Sequence, residues 1–153
     1  MNKYIIVSFL EDVSSGMKFQ KSEWPLHLTI IPPFFFNKEE KQLINLLNSS
    51  FTNKKPITLI GESKEMFGPE REVEVTVLKN TEAIQELHND IQERLRNWII
   101  FKSKQYPDYR PHVSGQGEKE INVGKKIIIN NVSLVKSYDN YWKIKTKKDL
   151  CQV

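Results

Sequence analysis

Two tripeptides, His27-Leu28-Thr29 and His112-Val113-Ser114, place a hydroxyl two positions after a histidine at sites 85 positions apart, in a chain with three histidines. A proline precedes each, Pro25 and Pro111. On a β-strand successive side chains leave opposite faces, so each imidazole shares a face with its hydroxyl while Leu28 and Val113 turn the other way. One such tripeptide is weak evidence. Two of them, each on a short strand, call for a fold with two similar halves that supply a helix and a histidine-bearing strand apiece.

The rest of the chain fits that demand. Residues 3–10 (KYIIVSFL) read as a buried strand and residues 26–31 as a second one, which Pro32-Pro33 ends because proline donates nothing to a ladder. Residues 37–50 carry a helix pattern with Asn37 as N-cap, Glu39 and Glu40 in the first turn, and Leu43, Ile44, Leu46 and Leu47 as the apolar stripe. Lys54-Lys55-Pro56 is a turn. Residues 57–61 and 72–78 read as strands joined by a segment containing Met66-Phe67-Gly68-Pro69. In the second, Val73, Val75 and Val77 alternate with Glu72, Glu74 and Thr76, so one face is buried and the other wet. Residues 81–98 form the clearest helix, capped by Thr81, with Ala83, Ile84, Leu87, Ile91, Leu95 and Trp98 along one side. A polar loop, the short segment at His112, and strands at 126–135 and 141–146 complete the chain.

At 153 residues, 39% hydrophobic and 27% charged, the chain has the size of a single domain spanning 1–153. It buries about 70% of its unfolded surface and needs no disulfide or structural metal to fold. Its one cysteine, Cys151, excludes a disulfide scaffold and a cysteine-rich zinc module, which favours a reducing, cytoplasmic setting. The apolar run at 4–10 is too short for a membrane span. Net charge is +4, and its placement is uneven: residues 1–118 hold 15 basic and 16 acidic side chains, whereas residues 119–148 hold eight lysines against Glu120 and Asp139. That stretch reads equally as an attractor for an anionic polymer or as a lysine-solvated face that blunts an edge strand.

The paired motifs have a chemical reading. Phosphodiester hydrolysis needs a base to take a proton from water and an acid to protonate the leaving oxygen. Imidazole, with an ordinary pKa of about 6.5, does either near neutral pH. The adjacent hydroxyl donates to a nonbridging phosphate oxygen and helps to bind the charge that develops. The scheme requires neither metal nor cofactor.

Pro25-Leu26-His27-Leu28-Thr29 and Tyr109-Arg110-Pro111-His112-Val113-Ser114 resemble the two motifs of the two-histidine (2H) phosphoesterase superfamily, in particular the 2′-5′ RNA ligase or LigT-like cyclic phosphodiesterases. The second is similar to the family's aromatic-x-Pro-His-x-Thr/Ser pattern, and the order of elements agrees over essentially the whole chain. The resemblance implies a bilobal α+β fold in which two antiparallel sheets, related by a pseudo-twofold, flank a central cleft with helices outside. It also implies metal-independent opening of a 2′,3′-cyclic phosphate, or cleavage or ligation of a 2′-5′ linkage. His27 and His112 become the acid–base pair, and Thr29 and Ser114 the phosphate-binding hydroxyls. Ser114 stands where Thr is commoner, and Gly115-Gln116-Gly117 follows where an apolar continuation is usual, so the second strand is expected to bend early.

Further candidates lie beside the motifs: Arg110 as a phosphate clamp, and Tyr106, Tyr109, Trp24 and the run from Phe34 as surfaces for a base. His88, next to the apolar stripe of the second helix, reads as a structural residue. The expected substrate is an RNA end or small nucleotide, the latter slightly favoured in so short a chain, and the expected state a monomer. Competing readings are a hydrolase of cyclic nucleotide signals on the same fold, a noncatalytic RNA-binding module, and a metal site built from His27, His88 and His112. Two intact motifs argue against the binder, and the lack of an evident carboxylate partner argues against the metal site.

Overall fold

The computed structural model describes residues 2–51, 54–101 and 108–150. Along the chain lie β1 (Asn2–Phe9), β2 (Lys18–Gln20), β3 (His27–Phe36), α1 (Glu40–Ser50), β4 (Ile57–Phe67), β5 (Val73–Leu78) and α2 (Glu82–Leu95). There follow β6 (Ile99–Phe101), β7 (His112–Ser114), β8 (Lys126–Ile129), β9 (Asn131–Ser137) and β10 (Tyr141–Asp149). The strands form two sheets, one of six in the order β2-β10-β9-β1-β3-β6 and one of four in the order β7-β5-β4-β8. Every pairing is antiparallel. This is an α+β architecture of two antiparallel sheets, with the larger sheet drawing strands from both ends of the chain.

The apolar run of β1 is explained by its position. Tyr4 and Ile6 face a large core shared with α1, α2 and the smaller sheet, whereas Ile5, Val7 and Phe9 face a second cluster with Val13, Phe19, Trp142 and Ile144. A strand covered on both faces has no wet side, so alternation disappears. The motif strands do alternate: Leu28 and Ile30 of β3 and Val113 of β7 enter the large core, leaving His27, Thr29, His112 and Ser114 half-buried on the other side.

Several elements depart from what periodicity predicts. β3 runs through Pro32-Pro33 to Phe36. The β1 pairing passes from Ile6–Ile31 to Tyr4–Phe34, with a shift that spans the prolines, and β6 joins the outer edge only at Phe34–Phe36, so neither proline is asked for a ladder hydrogen bond. α1 starts at Glu40 with Glu39 as N-cap in place of Asn37, because the Gln42 side chain reaches back to the Glu39 N–H at 3.1 Å. β4 extends to Phe67, making the Met66-Phe67 segment part of a hairpin with β5. β5 is covered by length and not by face: Val73 and Glu74 are exposed, whereas Val75 to Leu78 are buried, Thr76 included, its hydroxyl donating to the carbonyl of Ile121. α2 is capped by Thr81, whose hydroxyl oxygen accepts from the Ile84 N–H at 3.3 Å, but it ends at Leu95, and residues 99–101 become a strand. The run at 126–135 divides at Asn130: β8 joins the smaller sheet and β9 the larger.

Four of the eight lysines in the lysine-rich stretch, Lys119, Lys136, Lys145 and Lys147, are engaged in ion pairs among the described residues. Lys136 and Lys145 flank the Glu40 carboxylate at 3.6 and 3.2 Å, and Lys119 pairs with Glu11 at 2.8 Å. β2 pairs with β10 only along Tyr141–Lys143, and Lys126 lies on β8, an edge strand of the smaller sheet, as expected of a lysine-solvated edge. Among the described residues no helix is long and apolar enough to cross a membrane.

Candidate active site

β3 belongs to the larger sheet and β7 edges the smaller one, and the two strands lie against each other. The join is made by a hydrogen bond between the motifs: the Tyr109 hydroxyl donates to the Thr29 carbonyl at 2.7 Å. Glu11 ties them a second time, its carboxylate accepting from the Leu26 N–H before His27 and from Lys119 beyond Ser114. Burial opposes ionisation of Glu11, but Lys119 and the Leu26 N–H prevail and hold its pKa below the ordinary carboxylate value.

Both histidines are oriented in the same way. Nδ1 of His27 lies 2.8 Å from the Pro25 carbonyl, and Nδ1 of His112 lies 2.8 Å from the Arg110 carbonyl. A carbonyl only accepts, so each Nδ1 carries the proton and donates. Nε2 is then the nitrogen left for proton transfer on each ring. Burial pushes both pKa values below the usual imidazole value. The charge of His112 lowers His27 further, and that of Arg110 lowers His112, while the carbonyl bonds work in the opposite direction.

Aromatic rings wall the two imidazoles. The Trp24 ring centroid is 4.5 Å from that of His27, and Trp24 is backed in turn by Phe19 and Trp142. On the other side Phe67 stands 4.6 Å from His112. Arg110 lies over Phe67 and donates to the Glu65 carboxylate at 2.7 Å, so its fork is held at the edge of the site by an acidic partner. Val77 and Val75, buried opposite His112 and Ser114 in the β5–β7 ladder, underlie that half of the site.

The remaining candidates divide. Trp24 and Arg110 border the histidines. Tyr109 is turned into the protein, its hydroxyl on Thr29 and one ring face covered by His88 at 4.1 Å and 5°. Phe34 has no surface to offer a base: it is fully buried and stacked on Tyr4, because the alternation of β3 turns it into the large core. Tyr106 lies outside the described residues. β7 is short, as the glycines after Ser114 suggest, and the chain turns back with Gln116 and Lys119 bonded to each other. The three histidines do not gather, since His88 is directed at the Ile30 carbonyl at 2.8 Å. Among the described residues no group of three or more His, Cys, Asp or Glu side chains is arranged to hold a metal ion. Glu11, Glu65 and Phe67 had no signal in the sequence, because each reaches the motifs only through strand pairing or a long-range contact.

A two-sheet α+β fold with paired histidine–hydroxyl strands defines the two-histidine phosphoesterase class. Residues 15–123, which include both motifs, match the 2′-5′ RNA ligase superfamily, and the chain belongs to that family. No curated protein matches it in sequence. Solved structures share its fold at low identity. E. coli LigT complexed with 3′-AMP superposes with a TM-score of 0.63 at 13% identity, covering 99% of each chain. A protein described as a phosphoesterase gives 0.63 at 13% identity over 99% of this chain and 100% of its own. TT0787 of Thermus thermophilus gives 0.61 at 15% identity over 98% of both.

Proposed function

We propose that this chain is a metal-independent phosphodiesterase that opens 2′,3′-cyclic phosphates at RNA ends or on small nucleotides, or acts on 2′-5′ phosphodiester linkages, with His27 and His112 as its acid–base pair. The observation that carries the reading is the matched Nδ1 bond of the two histidines, which leaves two Nε2 atoms for proton transfer beside two hydroxyls. E. coli LigT, of the same fold, has been crystallised with 3′-AMP and with phosphate, ligands of the chemistry this site would hold.

In ring opening, water attacks phosphorus while the neutral imidazole takes its proton on Nε2. The bond between phosphorus and one ribose oxygen breaks, and that oxygen takes the Nε2 proton of the other, cationic ring. The product is a phosphate monoester on one hydroxyl and a free hydroxyl beside it. Thr29 and Ser114 donate to nonbridging oxygens, where negative charge grows. The two rings suit these unequal roles because each disfavours a second positive charge nearby.

Hydrolysis of 2′,3′-cyclic nucleotides and short 2′-5′ oligonucleotides, measured in excess chelator for wild type, His27→Ala and His112→Ala, tests the proposal. Turnover is expected with chelator present and is expected to vanish in both variants. A requirement for added metal, or survival of activity in either variant, overturns it. Retained nucleotide binding without turnover in wild type would support the noncatalytic reading instead.

A further inference from the structure

The edge of β3 that faces β7 is held in an unusual way. β6 covers that edge only at Phe34–Phe36, so along the stretch bearing His27 and Thr29 no strand is hydrogen-bonded into the ladder there, although β7 of the smaller sheet lies against it. On the opposite edge the ladder with β1 steps from Val7–Thr29 to Ile6–Ile31 and leaves Ile30 as the extra residue of a bulge. Two successive carbonyls at this point accept hydrogen bonds from side chains: Thr29 from the Tyr109 hydroxyl at 2.7 Å, and Ile30 from Nδ1 of His88 at 2.8 Å. The donors support each other, since the His88 and Tyr109 rings lie parallel at 4.1 Å. α2 completes the clamp with Gln85, one turn before His88, whose Nε2 donates to the Tyr109 carbonyl at 2.8 Å. One face of one helix thus holds both the bulge inside the first motif and the approach to the second.

We infer that His88 and Tyr109 are positioning residues that set the separation of the His27–Thr29 and His112–Ser114 pairs by fixing the bulged edge of β3 against the segment leading into β7. The inference rests on the proposed phosphodiesterase reading for its kinetic consequence. Its physical basis is independent of that reading. A bulge re-aims the side chains around it, and a bulge whose carbonyls lose their donors is free to relax. Acid, base and phosphate-binding hydroxyls work only at a set spacing, and a shift of about 1 Å costs about 100-fold in rate. His88 touches no reacting atom here; it acts through the Ile30 carbonyl and the Tyr109 ring.

The test uses Tyr109→Phe, which keeps the ring stack and removes the donor, His88→Leu, which removes donor and stack, and His88→Asn, which restores an amide donor near Nδ1. With a 2′,3′-cyclic nucleotide, the first two are expected to lose about 10- to 100-fold in kcat with KM within about three-fold of wild type, and His88→Asn to recover most of the loss. In parallel, imidazole titrations followed by NMR are expected to show His27 moving up in Tyr109→Phe and His88→Leu, as the relaxed edge lessens its burial and separates it from His112. Unchanged kcat in both of those variants, with only a lower melting temperature, overturns the inference, as does a His88→Asn variant no better than His88→Leu. If wild type turns over none of the substrates, the proposed activity fails, and the titrations decide this inference alone: wild-type values in both variants sink it.

Discussion

His27 and His112 are oriented by the same local contact, each Nδ1 donating to the carbonyl two residues earlier at 2.8 Å. The contact takes the part that a carboxylate plays for histidine in many hydrolases: it selects the tautomer and leaves the charge of the ring to be set by burial and by its neighbours. Because Pro25 and Arg110 contribute only a backbone carbonyl, no side-chain substitution there removes it.

The first prediction concerns the hydroxyls. On the proposed mechanism Thr29→Val and Ser114→Ala would each remove one donor to a charged phosphate, an interaction of about 1.5–3 kcal/mol, so kcat/KM is expected to fall by about 10- to 150-fold. Thr29→Ser keeps the donor and is expected to stay within a few-fold of wild type. Equal activity in Thr29→Val and wild type would remove Thr29 from the site.

The pH profile of kcat/KM is expected to be bell-shaped, with its centre below about pH 6.5, because burial depresses both His27 and His112 and the proposed mechanism needs one ring neutral and one protonated. A profile centred well above neutrality would contradict the site as drawn.

Stability carries the same sign. His27, His88 and His112 all have pKa values lowered by burial. The unfolded chain therefore binds more protons than the folded one below about pH 6.5, where free histidine titrates. Their contribution is complete above that pH and is lost as pH falls through the lowered folded values. Urea midpoints are expected to be lower at about pH 5.5 than at about pH 7.5, with the difference reduced in His88→Asn.

Arg110 pairs with Glu65 and lies over Phe67, the ring that stands beside His112. Its pair with Glu65 is solvent-accessible and is expected to add little to stability. Its charge nevertheless lowers His112. In Arg110→Ala the NMR titration of His112 is expected to move up toward the ordinary imidazole value, while Glu65→Gln, by releasing the guanidinium, is expected to tighten binding of inorganic phosphate. Weaker phosphate binding in Glu65→Gln would show that the acidic partner positions Arg110 productively.

Gly61 supplies a test of the fold alone. A Cβ at this position would stand 2.6 Å from the Asn122 carbonyl oxygen, which is backbone and cannot swing aside. Gly61→Ala is expected to destabilise the protein by about 1–3 kcal/mol in urea unfolding. No loss would mean that the Asn122 segment yields freely.

The sequence alone marks out much of the candidate site and less of its walls. The two tripeptides are legible because both their parts are local: period-two alternation pairs imidazole with hydroxyl, and the orienting carbonyl lies two residues away. The Thr81 cap and the apolar stripe of α2 are legible for the same reason. Phe34 reads wrongly as a surface for a base because adjacency in sequence says nothing of which face a strand buries. Pro32-Pro33 reads wrongly as a stop, since only the shift in the β1–β3 ladder shows that no N–H is required there.

The amino-acid sequence by itself determined which residues are candidates for the chemistry, because strand alternation acts over three residues and needs no partner. The tertiary structure alone decided that the two motif strands lie side by side, that Glu11 and Tyr109 tie them together, and that Phe67, Trp24 and Arg110 surround them. Those relations join residues far apart in the chain through hydrogen bonds and packed rings, and no local periodicity encodes them.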